Sequence, residues 1–143
     1  DFSLKNTAFS TADITLDDGD FIADTITVHS GTISLSYGDC DFKKASLSNT
    51  TIKSADGDIS MNDLYLLEKV KLDLSYGDAV LTLNDSTKKT AGFDLITHYG
   101  TINTSSLTGS HTEKDDEETF KLEPKDGKTM LSISSEDGDI TIQ

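Results

Sequence analysis

The sequence predicts an all-β chain: a single-stranded parallel β-solenoid, a right-handed β-helix-like winding of about seven coils with a repeat of about 19–20 residues. Glycine spacing, the residue after each glycine and the apolar period all point there. Glycines recur at Gly19, Gly38, Gly57, Gly77, Gly100 and Gly138, at spacings of 19, 19, 20, 23 and 38 residues, the last being twice the first. All of these but Gly100 are followed by aspartate, at Asp20, Asp39, Asp58, Asp78 and Asp139. Apolar residues then fall at offsets stepping by two, the period of a strand, with Gly, Asp, Asn and Ser between the groups as turn formers.

The elements follow in order from that frame. Phe2, Leu4, Thr7 and Phe9 take the slots two, four, seven and nine after an imagined glycine at position zero, so the first strand starts in mid-coil. Five residues before each glycine stand Ile14, Ile33, Ile52, Leu72, Leu95 and Ile133. The first five of these are expected to form one continuous inward column. Two residues after each glycine stand Phe21, Cys40, Ile59, Ala79, Ile102 and Ile140. Residues 62–70 allow a helical turn, but their place in the repeat reads as strand, and no segment with a helical period stands out. Around residues 108–128 the frame degrades. Residues 110–119 carry no apolar position, and read as a polar loop with a local hairpin on a degenerate sixth coil. Pro124 belongs in the turn Pro124-Lys125-Asp126-Gly127 that follows. One such unit cannot bury its own apolar face; stacked units can, at about 4.8 Å per strand. The expectation is one domain over 1–143, with a β-sandwich of the same strands as the alternative.

Charge excludes several partners. The chain has 26 Asp+Glu against 12 Lys+Arg, all of the latter lysine, for a formal charge of −14. Such a surface repels phosphate backbones and anionic lipid, so no nucleic-acid partner is expected. No apolar run is long enough for a membrane helix, so no insertion is expected within this segment. The single cysteine, Cys40, cannot close an intramolecular disulfide, and its inward slot reads as a buried, inert thiol. His29, His98 and His111 show no metal-ligand spacing. No signal peptide is visible, and the opening Asp1-Phe2-Ser3-Leu4 is already strand-like, as in a mature domain with any anchor upstream.

Two columns carry the candidate sites. Asp-Gly-Asp triplets occur at residues 18–20, 56–58 and 137–139. Gly supplies positive φ and Asp bonds local backbone, so turn formation accounts for them. No Glu follows at the spacing of a calcium loop. No metal or cofactor is expected, with Asp20, Asp39, Asp58 and Asp78 as the weak candidates should a cation bind. Neighbouring charges about 4.8 Å apart repel by only about 0.9 kcal/mol in water, against about 1.5–3 kcal/mol for each buried Leu or Ile. Tyr37, Tyr76 and Tyr99 each precede a glycine; Tyr76 and Tyr99 are expected on adjacent coils, stacked. They read either as packing or as a strip for a sugar or peptide, and an acidic rod suits a cationic peptide best.

The segments 26–35, 53–59 and 134–142 resemble a bacterial family named for adhesins, a domain of unknown function that repeats strand, Ser-x-x-Gly-Asp-Ile, strand along a β-solenoid. The resemblance covers essentially the whole chain. It implies a non-catalytic binding or structural module, extracellular or at the cell surface, anchored by an upstream segment and linked with cell-envelope stress. Partners of that kind are another surface protein, a cationic peptide or a cell-wall glycan. No catalytic or binding residues carry over. The competing class is a carbohydrate-active enzyme on a β-helix, a polysaccharide lyase or glycoside hydrolase. Lyases of that architecture place Arg or Lys beside calcium, whereas this chain has no Arg and scattered Lys. A monomer is expected, with end-to-end contacts through the strand edges of residues 1–9 or 131–143.

Overall fold

A computed structural model describes residues 1–143. In chain order the strands are β1 (Phe2–Phe9), β2 (Ala12–Leu16), β3 (Phe21–Val28), β4 (Gly31–Tyr37), β5 (Cys40–Phe42), β6 (Ala45–Leu47), β7 (Thr50–Asp56), β8 (Ile59–Leu66), β9 (Lys69–Tyr76) and β10 (Ala79–Leu83). Helix α1 (Asp85–Thr90) follows, then β11 (Gly92–Thr97), β12 (Ile102–Asn103), β13 (Ser110–Lys114), β14 (Glu117–Leu122), β15 (Met130–Asp137) and β16 (Ile140–Ile142). They form two eight-stranded sheets. One runs β1-β3-β5-β8-β10-β16-β12, with β6 also between β3 and β8; the other runs β13-β14-β11-β15-β9-β7-β4-β2. Every pairing is parallel except those of β14 with β11 and with β13.

The two-residue apolar period sets which side chains meet inside. In one sheet Ile14, Ile33, Ile52, Leu72, Ile133 and Leu95 lie side by side in register. In the other, Phe2, Phe21, Cys40, Ile59, Ala79, Ile140 and Ile102 do the same. These columns contribute to one cluster of 31 buried apolar residues. Ile14 is only half-buried, because β2 ends its sheet and nothing covers its outer side.

The order of levels departs from the expected one. Through β10 the levels follow the chain. Then β11 and β12 skip a level, and the C-terminal strands β15 and β16 fill it. Leu95 therefore does not lie beside Leu72; Ile133 stands between them. The cause lies in the connection that carries α1. Between β8 and β9 only Leu67 and Glu68 intervene, whereas residues 84–91 link β10 to β11. Asn84 caps α1, its side chain accepting from the Ser86 N–H at 2.9 Å. Thr87, the one buried residue of the helix, accepts the Leu66 N–H at 3.0 Å and pins α1 to β8. One buried residue in fewer than two turns gives no helical period to read.

Residues 131–143 are consequently not a free end. Both β15 and β16 have a strand on each side, and the ends of the sheets are β1 and β2 on one side, β12 and β13 on the other. The polar segment holds the local hairpin expected of it: β13 and β14 pair antiparallel about the turn Asp115–Asp116, with Asp115 at φ 55°. Phe120 is its one fully buried residue, opposite Leu95, and Leu122 packs half-buried against the core. The outer strand β13 is exposed throughout and carries His111, Glu113 and Lys114, which discourages further strand pairing.

The turns at the repeated glycines are close-packed along the stack. Gly57 has φ 143°, and a Cβ there would sit 2.1 Å from the Gly38 carbonyl oxygen one level away. The connection from β14 to β15 is held differently. Asp126 Oδ1 accepts the N–H groups of Lys128 at 2.9 Å and Thr129 at 2.8 Å, and the Thr129 hydroxyl donates to Oδ2 at 2.6 Å. These bonds, the Thr129 hydroxyl foremost, lower the Asp126 pKa to about 2.

Two expectations follow from these turns. Gly57→Ala should cost about 2–4 kcal/mol in urea unfolding, through strain plus collision with fixed backbone. Gly127→Ala, at φ 71° with nothing within 4 Å, should cost only about 1 kcal/mol. Equal losses at the two sites would contradict the close-packed stack. For Asp126, the folded pKa lies below the unfolded value of about 3.9, so its stabilisation is full above that value and fades as pH falls toward 2. A carboxyl NMR titration should give a midpoint of about 2, moving up in Thr129→Val. An unmoved midpoint would show that the hydroxyl is not the main cause.

Candidate functional site: an aspartate and tyrosine edge

Each glycine turn brings three residues to one edge: the residue before it, the glycine and the residue after it. Backbone N–H groups at such a corner need acceptors. The residue after the glycine supplies them by reaching along the stack. The Asp39 N–H donates to Asp20 Oδ1 at 3.0 Å, Asp58 N–H to Asp39 Oδ1 at 2.9 Å, and Asp78 N–H to Asp58 Oδ1 at 2.8 Å. The ladder continues through the inserted level, with the Asp139 N–H donating to Asp78 Oδ1 at 2.8 Å and Thr101 N–H to Asp139 Oδ1 at 2.8 Å. Asp1 begins it, accepting the Asp20 N–H at 3.3 Å. The candidate cation ligands Asp20, Asp39, Asp58 and Asp78 thus each spend one oxygen on the neighbouring level's backbone. The structure places no group of three or more His, Cys, Asp or Glu side chains where they could hold a metal ion.

The residue before each glycine forms a second, outward column. In spatial order it reads Asp18, Tyr37, Asp56, Tyr76, Asp137, Tyr99. Tyr37 pairs with Asp56, Asp56 with Tyr76, and Tyr76 with Asp137. The Gly19 N–H donates to the Tyr37 carbonyl at 3.1 Å and the Tyr99 N–H to the Glu136 carbonyl at 3.1 Å, which seats the two ends. Tyr37, Tyr76 and Tyr99 are 62%, 59% and 63% exposed, far more than packing residues. The expected stack of Tyr76 on Tyr99 is not formed, because Asp137 lies between their levels; successive tyrosines stand two levels, about 9.6 Å, apart. The inserted C-terminal level is what makes the alternation strict.

The aspartates of this edge form no ion pair with a lysine, and Lys114 of the hairpin stands beside Tyr99 at its end. Four of the lysines form ion pairs elsewhere, Lys5 with Asp24, Lys44 with Asp63, Lys71 with Asp73 and Lys121 with Asp94. At the Tyr99 end the hairpin adds an acidic wall. His98, Tyr99, Glu113, Asp115, Asp116 and Glu117 line a hollow of about 220 Å³, where His98 Nε2 lies 3.5 Å from Glu117. His111 bonds Glu118 farther along the hairpin, and His29 is exposed on a distant turn, so the histidines do not converge. Cys40 is fully buried in the core, and burial, then Asp41 and Asp39, raise its pKa well above the ordinary thiol value. Rings flanked by carboxylates can take up cations through cation–π contact and charge together. The sequence reads Asp18, Asp56 and Asp137 as turn formers of the Asp-Gly-Asp triplets, and their place in one column with the tyrosines, at the offset just before each glycine, comes only from the structure.

A family model described as Toastrack DUF4097 matches residues 1–143. No curated protein and no solved structure shows significant similarity to the chain.

The ladder separates hydrogen bonding from charge. Asp58→Asn keeps an oxygen acceptor and removes one charge, and should leave stability within about 0.5 kcal/mol. Asp58→Ala removes the acceptor of the Asp78 N–H and should cost about 1 kcal/mol in urea unfolding. Equal losses in the two variants would show that the hydrogen bond contributes nothing.

Proposed function

The chain belongs to the Toastrack DUF4097 family, and from that premise we propose that it is a non-catalytic, extracellular binding module of a bacterial cell envelope that takes an extended cationic peptide segment along its aspartate and tyrosine edge. The observation that carries the reading is the alternation Asp18, Tyr37, Asp56, Tyr76, Asp137, Tyr99 on exposed surface, its aspartates without a lysine partner. Support comes from the spacing. A polyproline II chain advances about 9.3 Å in three residues, close to the about 9.6 Å between successive tyrosines. A basic residue at every third position would then meet every ring in turn. Each exposed cation–π contact contributes about 0.5–1 kcal/mol, and the aspartates add attraction that salt weakens. The placement at an envelope rests on the family resemblance of the repeat. We read the two sheets as walls of one right-handed solenoid, supported by the passage of the chain from one sheet to the other at each turn and by the in-register columns.

Fluorescence anisotropy with a labelled peptide of lysine at every third position tests this. The unaltered protein should bind at low salt, and substitution of Tyr37, Tyr76 and Tyr99 by Ala together should weaken binding at least about tenfold, from about 0.5–1 kcal/mol per ring. Absence of binding, or equal binding by the triple variant, would overturn the proposal.

A further inference from the structure

We propose that the C-terminal strands β15 and β16 are an exchangeable level, which a second copy of this chain can insert between β9–β10 and β11–β12 to give a strand-exchanged dimer. The slot has a strand edge on both sides in both sheets: β9 and β11 against β15, β10 and β12 against β16. Its partners are remote in sequence, since Ile133 meets Leu72 and Leu95. The level that fills it is generic. Ser135-Glu136-Asp137-Gly138-Asp139-Ile140 repeats the pattern of Ser54-Ala55-Asp56-Gly57-Asp58-Ile59, so its glycine, its ladder aspartate and its apolar positions fit neighbours of the same repeat.

A short link joins this level to β14. Residues 125–128 are exposed, and the segment is fastened by the Lys125 N–H to the Thr90 carbonyl at 2.9 Å and by the Asp126 cap. Because β11 and β12 join the earlier strands only through β15 and β16, exchange takes place during refolding, before this level and the ladders on both its sides have formed. The donor's strands would make the same contacts from another chain, so exchange exchanges an intramolecular insertion for an intermolecular one. A short tether gives an effective concentration on the order of 1 mM, and exchange competes only as the protein approaches it. The charge of −14 on each copy opposes pairing, less so at high salt.

The test uses an outward-facing register pair, Asp73 on β9 and Ser134 on β15. In a Cys40→Ala background, the single variants Asp73→Cys and Ser134→Cys are unfolded, mixed and refolded together in full-length form at high salt. A disulfide-linked heterodimer in excess of the two homodimers, Asp73→Cys with itself and Ser134→Cys with itself, which report random collision, marks one copy's β15 lying against the other's β9. At about 1 mM the linked species should be abundant, and at about 10 µM roughly a hundredfold scarcer. The double variant in one chain should close its disulfide internally, which checks the geometry of the pair. Light scattering on the unaltered chain refolded at the same two concentrations should show dimer mass only at the higher one. A monomer at both concentrations, with no linked heterodimer while the double variant closes its own, would overturn the proposal.

Discussion

The close stacking of glycine turns in register is the constraint on which the rest depends. Each level's glycine lies against the carbonyl of its counterpart, near enough that a Cβ at Gly57 would stand 2.1 Å from the Gly38 oxygen. That proximity puts the following aspartate within reach of the next level's N–H, as between Asp39 and Asp58 at 2.9 Å. The ladder in turn fixes register. A one-residue slip would move the inward column of Ile33, Ile52 and Leu72 to the solvent face. Burial and corner hydrogen bonding therefore select the same alignment.

The same constraint explains why a C-terminal segment can occupy an interior level. Any segment with the glycine, the aspartate and the apolar period satisfies both neighbours, and residues 130–142 have all three. Helix α1 drops the chain past one level, and the hairpin β13–β14 closes the far end of its sheet with exposed, charged strand. The inserted level also completes the surface. With Asp137 between Tyr76 and Tyr99, the outward column alternates ring and carboxylate along the stack.

Much of this was legible in the sequence because it is local. The step of two from Ile14 to Leu16, the glycine period and the inward slot of Cys40 depend on the chain's own repeat, and the structure keeps each of them. The level order was not legible. A gap of 38 residues between Gly100 and Gly138 equals two repeats, so a displaced C-terminal level looks like an undisturbed series with one degenerate coil. The sole trace was the gap of 23 residues from Gly77 to Gly100, which holds α1. The hairpin was legible in its polar run, but its antiparallel docking on β11 was not, because Phe120 is its single buried residue. The edge suffered for the same reason: in chain order the residues before the glycines end Tyr76, Tyr99, Asp137, and only spatial order restores the alternation.

The central claim is that β15 and β16 occupy the level between β9–β10 and β11–β12. Methyl NOE spectroscopy on the full chain, with labelled Ile and Leu, tests it most directly. Cross-peaks are expected from Ile133 to both Leu72 and Leu95, and none between Leu72 and Leu95 as nearest neighbours. Strong direct Leu72–Leu95 contacts, with Ile133 seen from Leu95 alone, would mean that the levels follow the chain to its end and would contradict it.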